Sequence, residues 1–167
     1  MVQGPGCLNY NLVLRIDQHP PLAGLTETNR FVMERHRSVV ERLLGTNAGA
    51  VTFDGHTDLA LDGRKFSGNA QRRKRRYVLF HGCFLLAADL DLITALLPLP
   101  SREPAYRQNR PHTEFLVNLP VTATDLKQAL AEEWGADTAM DDSAYPLALT
   151  RQLVDEKYNR PEWNQRR

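Results

Sequence analysis

The sequence predicts an α+β fold in which helices pack on a largely antiparallel sheet. Three observations support this class: apolar residues alternate over residues 8–16, an Asp62-Gly63 pair separates two short strand-like segments, and residues 28–44 show helical spacing of apolar side chains. Strands joined by tight hairpins pair in antiparallel fashion, and an amphipathic helix needs an apolar layer to cover. The length of 167 residues favours one domain, which we predict over residues 1–167.

The first third of the chain predicts a strand followed by a helix. Residues 8–16 place an apolar side chain at every second position, which is the period of a strand with one buried face. Pro20-Pro21 ends this strand and opens a loop. From Thr28 to Leu44, valine and leucine recur at helical spacing among Arg and Glu, and Gly45 is a typical helix stop.

The rest of the chain predicts hairpin strands and shorter helices. Thr122 and Asp125 resemble a capping box that starts a helix, and residues 98–113, rich in Pro and Arg, predict an exposed loop. The predicted strands are Ala50–Phe53, Asp58–Leu61, Arg64–Ser67 and Tyr77–Ala88, and the remaining predicted helices are Asp89–Leu97 and Tyr145–Tyr158.

Composition excludes several classes of protein. Apolar residues make up 42% of the chain and charged residues 25%, as in ordinary globular domains and unlike disordered or collagen-like chains. The net charge of +1 provides no overall attraction to nucleic acid or anionic membranes. The apolar runs are too short to span a membrane, and the first residues do not form a signal peptide.

Cysteine and histidine usage favours a reducing compartment without a structural metal site. The two cysteines, Cys7 and Cys83, form no CxxC pattern and imply no disulfide framework. We therefore expect reduced thiols in a cytoplasmic protein. The five histidines have no zinc-site spacing, and no metal ligands are predicted.

One hairpin carries the residues best suited to chemistry. Asp58 and Lys65 flank the Asp62-Gly63 turn, and residues 67–70 offer small side chains and backbone N–H groups. Such a segment can hold an anion close to the backbone, and the lysine can stabilise charge that develops on a phosphate or acyl oxygen. A solvated lysine beside an ordinary turn is the alternative that spacing alone leaves open.

The same region resembles the lipoate–protein ligase family. The resemblance covers most of residues 1–120. It includes Gly4–Tyr10, which resembles the strand after the family's glycine-rich loop, and it is loose over Asn109–Leu119. The residues that carry it are Asp58–Leu61, the segment Gly-Arg-Lys-Phe-Ser-Gly-Asn-Ala-Gln at 63–71, Phe-His-Gly-Cys-Phe-Leu-Leu at 80–86, and Asp89-Leu90. It implies the catalytic domain shared by biotin and lipoate protein ligases.

The resemblance also implies a two-step reaction and its partners. The carboxylate of lipoate or octanoate would attack the α-phosphate of ATP, with Mg²⁺ neutralising the phosphates. The amine of a lysine on a lipoyl-acceptor domain would then attack the acyl-adenylate. Lipoate versus octanoate, and ligase versus octanoyl or lipoyl transferase of the same fold, stay open.

The resemblance assigns roles to individual residues. Lys65 matches the catalytic lysine, whose charge would serve both steps. Val78, Phe80 and Phe84 would either form an apolar slot for the acyl chain or belong to the core. The residues expected to line the adenylate and the acyl chain are Asp58, Ser67, Gly68, Asn69, Ala70, His81 and Gly82.

The family's Arg-Arg-x-Gly-Gly-Gly-x-Val element would immediately precede Gln3, and the sequence does not contain it. The expectation is thus a catalytic domain lacking its N-terminal part, with weakened ATP binding because the loop's N–H groups cradle phosphates. A misplaced start codon, a truncated remnant of low activity, or a second chain that supplies the missing part would each explain this. A non-catalytic binding module is the alternative to an enzyme.

Two further features leave alternatives open. Cys83 is either a small buried apolar residue or an acyl-thioester nucleophile with His81, two positions away on the same strand face, as its base. The five cations Arg72–Arg76 form a solvated loop, dock an acidic acceptor domain, or bind nucleic acid.

Overall fold

A computed structural model of the protein describes residues 3–47 and 49–165. The chain divides into two compact units, Met1–Gly135 and Ala136–Arg167. The larger unit contains the sheet, the main core and the residues singled out above. The single domain over residues 1–167 stays a prediction.

The described residues contain a five-stranded antiparallel sheet with the strand order β1-β5-β4-β3-β2. The strands β2 to β5 form successive hairpins, and β1 pairs with β5 over its whole length. The strands are β1 (Cys7–Arg15), β2 (Val51–Asp54), β3 (Asp58–Leu61), β4 (Arg64–Arg73) and β5 (Tyr77–Leu85). Asp62 and Gly63, with φ of 51° and 67°, form the predicted hairpin turn between β3 and β4.

Among the described residues, helix α1 connects β1 to β2 in the sequence, and the helices α2 to α6 come after β5. They are α1 (Leu25–Leu44), α2 (Leu90–Leu96), α3 (His112–Phe115), α4 (Ala123–Trp134), α5 (Leu147–Leu153) and α6 (Pro161–Asn164). Gly45 ends α1 in the left-handed region at φ 63°, and the Thr122 hydroxyl caps α4 by accepting a bond from the Asp125 N–H at 3.1 Å.

The main core lies between one face of the sheet and helices α1 and α4. Its fully buried side chains come from both helices, four strands and the segment before α4, and they are Val32, Met33, Val39, Val40, Val51, Leu59, Phe66, Phe80, Phe84, Leu119 and Leu126. The buried Glu41 carboxylate accepts bonds from the N–H groups of Gly49 and Val51, which ties the end of α1 to the start of β2.

The structure confirms the predicted fold class and corrects several elements. Helix α1 begins three residues earlier than predicted. Strand β4 continues through Arg73, so Arg72 and Arg73 are strand residues and only 74–76 form the turn. The segment 98–113 is not a plain exposed loop: it holds a 3₁₀ turn at Ala105–Arg107 and α3, and Arg107 is 4% exposed, because its guanidinium packs on Phe115.

Two other elements are shorter than predicted. Strand β5 ends at Leu85 rather than Ala88, because the chain turns back there: the N–H groups of Leu86 and Ala87 both bond to the Gly6 carbonyl. The helix predicted over Tyr145–Tyr158 begins only at Leu147. It consists of α5 followed by a π-helical turn at Val154–Tyr158.

The smaller unit is largely helical. In it, Lys157 Nζ lies 4.1 Å from the ring centre of Trp163, and Tyr158 meets the same ring edge-on at 5.5 Å. The ammonium also lies 5.3 Å from the centre of the Tyr158 ring, and a cation close to two aromatic rings stabilises this turn. In the part of the chain that the structure describes, no helix is both long enough and apolar enough to cross a membrane.

His36 is a buried titratable group in the main core. Its side chain on α1 is fully buried, and its Nε2 accepts a bond from the Trp134 Nε1–H at 3.0 Å. The Tyr10 ring meets it edge-on at 4.8 Å. Burial lowers the pKa of His36 to about 3, since an imidazolium in this apolar site loses its hydration.

We expect the stability of the protein to fall as the pH drops below about 6.5, the usual pKa of histidine in an unfolded chain. Below that pH the unfolded chain binds a proton at His36 that the folded chain does not bind. The free energy of unfolding should fall by about 1.4 kcal/mol per pH unit from this group. Urea unfolding between pH 7 and pH 5 measures the slope.

The variant His36→Gln should flatten that slope, whereas His56→Gln, at an exposed position, should not. An unchanged slope in His36→Gln would contradict the assignment.

Candidate functional site

A β-bulge between β3 and β4 places Lys65 on the sheet face opposite the main core. Leu59 pairs with Ser67 and Ala60 with Lys65, so Phe66 is an extra residue without an opposite partner. Phe66 and Ser67 are consecutive yet both buried. A bulge shifts the alternation of a strand by one residue, so Lys65 and Gly68 share a face although three positions separate them.

Lys65 forms an ion pair with Asp58 at the start of β3. Lys65 Nζ lies 2.8 Å from Asp58 Oδ1, with side-chain exposures of 26% and 14%. The second carboxylate oxygen, Oδ2, accepts a bond from the Tyr106 hydroxyl at 2.8 Å. The ammonium is therefore half-buried and oriented, in contrast to the freely solvated lysine that the sequence left open.

Gly68 provides the floor on which the Lys65 side chain lies. A Cβ at position 68 would be 3.0 Å from both Cε and Nζ of Lys65. Val117 N–H bonds to the Lys65 carbonyl at 3.0 Å, which fixes the backbone below. The absence of a side chain at Gly68 thus allows the close approach of the amine to the sheet.

Asn69 occupies the other face of β4 and holds the strand to its neighbours. Its Oδ1 accepts a bond from the Tyr10 hydroxyl at 2.6 Å, and its Nδ2 donates to the Thr57 carbonyl at 2.7 Å. A Cβ at Gly82 would lie 1.8 Å from that Oδ1 and 2.9 Å from Tyr10 Cε1. Gly82 therefore makes room for this network.

A cavity of about 600 Å³ opens beside the Lys65 amine. All eight residues predicted as catalytic or ligand-binding line it: Lys65, Asp58, Ser67, Gly68, Asn69, Ala70, His81 and Gly82. Their contacts with a ligand stay a prediction, and the side chains of Ser67 and Asn69 already bond to each other. Val78, Phe80 and Phe84 are buried and do not line the cavity, so the expected apolar slot is not formed by them.

Several lining residues were not predicted. Asn9 and Asn11 come from β1, and an apolar end is formed by Leu85, Ile93, Leu97 and Leu116. The sequence predicted a helix around Ile93, but only its packing against Leu85 of β5 shows that it lines a cavity. Tyr106 was missed because its Pro- and Arg-rich segment indicates a loop and carries no signal for contact with β3.

Cys83 lies on the cavity wall next to Cys7. Both are free thiols, half-buried, on adjacent strands. Burial raises the pKa of Cys83 to about 11, and the neighbouring Cys7 adds to the shift. The thiol form therefore dominates at neutral pH, which makes Cys83 a weak nucleophile in this state. The thioester role stays an untested alternative.

The Tyr106 phenol is kept protonated by its burial and by the neighbouring carboxylate of Asp58. Burial raises the pKa of the Tyr106 phenol, and the charge of Asp58 and its hydrogen bond raise it further. Tyr106 therefore stays protonated and acts as a donor to Asp58 over the whole physiological range.

Among the described residues, no cluster of three or more His, Cys, Asp or Glu side chains could hold a metal ion.

Comparison with known proteins shows which family this chain resembles. Residues 1–144 match the model of the family described as the lipoyl protein ligase A/B catalytic domain. Octanoyltransferase LipM from Kyrpidia tusciae is 33% identical over 74% of this chain, and LipM from Bacillus subtilis is 29% identical over 96%. These alignments cover 50% and 68% of the relatives, and the chain spans 44% of the Brevibacillus brevis LipM.

Solved structures share the fold. A bipartite lipoate protein ligase from Thermoplasma acidophilum superposes with a TM-score of 0.72 over 96% of this chain and 64% of its own, at 22% identity. A lipoate-protein ligase A bound with ATP gives 0.67 over 95% and 65%, at 23% identity. Biotin protein ligase from Aquifex aeolicus gives 0.51 at 8% identity, over 78% of this chain and 51% of its own. These likenesses confirm the predicted fold.

The two glycines of the site should differ in what an added methyl group costs. Gly82→Ala should lower the free energy of unfolding by about 1–3 kcal/mol, because its Cβ would clash with Asn69 and Tyr10. Gly68→Ala should change it by less than about 1 kcal/mol, since only the flexible end of Lys65 must move. Urea unfolding of both variants measures this, and equal costs would refute the assignment of the two faces.

Proposed function

Since this chain belongs to the lipoyl protein ligase A/B catalytic-domain family, we propose that it transfers an octanoyl or lipoyl group to a lysine of an acceptor domain. The observation that supports this most directly is the half-buried Lys65 ammonium, paired with Asp58 and open to a cavity of about 600 Å³. A fixed cation beside a cavity suits a reaction in which negative charge develops on an acyl oxygen.

The proposed step is the attack of an amine on an activated acyl carbon. The acceptor lysine forms the new C–N bond, and the carbonyl oxygen takes up negative charge in the tetrahedral intermediate. Lys65 donates a hydrogen bond to that oxygen and lowers the free energy of the intermediate. The bond to the activating group then breaks, its electron pair leaves with that group, and the amine gives up its proton.

Two kinds of activated acyl group fit the family. Relatives named octanoyltransferase, at about 30% identity, favour a thioester donor. A ligase that first forms an acyl-adenylate from ATP is the second candidate, favoured by fold neighbours with bound ATP or bound lipoic acid. Octanoyl thioester with acceptor, and octanoate with ATP and acceptor, are the two reactions that distinguish them.

The described residues that line the cavity provide few side-chain ligands for Mg²⁺. Asp58 is the carboxylate of the cavity wall and is already paired with Lys65. Mg²⁺ commonly binds through one or two carboxylates together with substrate phosphates, so it fits this site only as part of a nucleotide complex. Mg²⁺ and ATP thus belong to the ligase candidate, and we keep the cytoplasm as the proposed location of this protein with free cysteines.

The acceptor domain is a proposed partner. Its candidate docking site is the cationic segment Arg72–Arg76, where β4 turns into β5. A bipartite ligase among the fold neighbours was studied with its E2 lipoyl domain. Arg73 bonds to the carbonyls of Leu22 and Ala23 and so belongs to the fold. The exposed cations are Arg72, Lys74, Arg75 and Arg76, and they are free to attract an acidic surface.

Lys65→Gln should reduce acyl transfer by about 100-fold or more, because it removes the cation that stabilises the oxyanion. Mass spectrometry of a lipoyl domain, incubated with octanoyl thioester or with octanoate and ATP, measures the transfer. Lys127→Gln, at an exposed position on α4, is the matched control. Transfer by Lys65→Gln at the wild-type rate would defeat the role, and a chain that transfers nothing would favour the non-catalytic binding module.

Replacement of Arg72, Lys74, Arg75 and Arg76 by Gln should raise the KM for an acidic lipoyl domain by about tenfold at low salt. The turnover of a small amine acceptor should not change, since these side chains act only on the encounter with the protein. Steady-state kinetics at two salt concentrations measure both effects. An unchanged KM would indicate that these four cations belong to a solvated loop. Salt-sensitive retention of the wild type on DNA, abolished by the same replacement, would indicate that they bind nucleic acid.

A further inference from the structure

The loop that carries Tyr106 contacts the β3–β4 hairpin at two points. The Tyr106 hydroxyl donates to Asp58 Oδ2 at 2.8 Å, at the start of β3. Arg110 donates to the carbonyl of Gly63 at 2.9 Å, at the hairpin turn, and also to the carbonyl of Tyr106 at 2.8 Å. One short segment therefore contacts both the start of β3 and the turn that follows β3.

This loop is held rigidly by a network of its own. Arg107 is 4% exposed, packs on the Phe115 ring at 4.6 Å, and bonds to the carbonyl of Arg110. Gln108 and Asn109 are consecutive non-glycine residues in the left-handed region, with φ of 54° and 58°. Such backbone is unfavourable for residues with a Cβ and persists only where its surroundings enforce it. Strain of this kind concentrates at functional sites.

The contacts of Asp58 show what the loop accomplishes. Asp58 Oδ1 bonds to Lys65 Nζ and Oδ2 to the Tyr106 hydroxyl, both at 2.8 Å. A carboxylate with a donor on each oxygen is restricted to one orientation. Without the phenol, the carboxylate is free to turn toward solvent, and the ammonium loses its fixed partner.

We propose that Tyr106 is a positioning residue that holds Asp58, and through it aims the Lys65 ammonium across Gly68 into the cavity. Tyr106 does not itself line the cavity in the described part of the chain, so it acts through Asp58 rather than by touching the ligand. The use of the aimed ammonium in acyl transfer rests on the proposed function, whereas the aiming itself does not.

Competitive labelling with an amine-selective anhydride tests this without any assay of activity. Mass spectrometry gives the labelling rate of Lys65 relative to the exposed Lys127 in the same molecule. In the wild type Lys65 should react more slowly than Lys127, because it is half-buried and paired. Tyr106→Phe should raise the Lys65 rate by on the order of tenfold, and Asp58→Asn should do at least as much.

The double variant decides whether the two residues act in series. Tyr106→Phe combined with Asp58→Asn should label Lys65 no faster than Asp58→Asn alone, because residues that act through one contact are not additive. Tyr77→Phe, at an exposed position on β5, is the matched control and should match the wild type. A wild-type rate in Tyr106→Phe, or additive effects in the double variant, would overturn the proposal.

The kinetic consequence separates positioning from a structural role. Tyr106→Phe keeps the ring that packs on Phe115 at 5.1 Å, and its unfolding midpoint in urea checks that the fold persists. In acyl transfer the variant should lower kcat and leave the KM for the acyl donor unchanged. If the wild type transfers no acyl group, the proposed function fails while the labelling experiment still decides the role of Tyr106.

Discussion

The bulge in β4 is the constraint on which the site depends. Regular alternation would put Lys65 and Gly68 on opposite faces of the sheet. The extra residue, Phe66, lets two consecutive side chains enter the core and brings the lysine back to the cavity face. The Asp58 ion pair and the cavity beside the amine both follow from this one irregularity, which is anchored because Phe66 is a fully buried member of the core.

Strand β4 serves the core and the cavity at once. On the core side, Asn69 bonds to both Ser67 and Tyr10, while Lys65 and Gly68 meet on the cavity side. A substitution in this strand therefore changes stability or chemistry according to the face it touches. The two-faced arrangement also explains why a segment rich in small residues can carry a site, since larger side chains would collide with the network or displace the amine.

Much of the fold could be predicted from local patterns. The period of two over residues 8–16, the Asp62-Gly63 turn and the Thr122 cap depend on neighbours in the chain, and each appears where it was expected. The role of segment 98–113 could not be predicted, because Tyr106 and Arg110 act through contacts with a hairpin more than 40 residues away. The bulge was missed for a similar reason: it depends on how β3 and β4 pair, and alternation within β4 does not show the register.

The central claim is that the Lys65 ammonium meets the acyl group. The chain has only four lysines, Lys65, Lys74, Lys127 and Lys157, so the side-chain ammonium signals of ¹⁵N-lysine-labelled protein can be assigned one by one. Titration with a non-hydrolysable octanoyl thioether that keeps the ketone oxygen should shift the Lys65 signal and leave the other three in place. A titration in which the ligand binds and Lys65 does not shift would contradict the account.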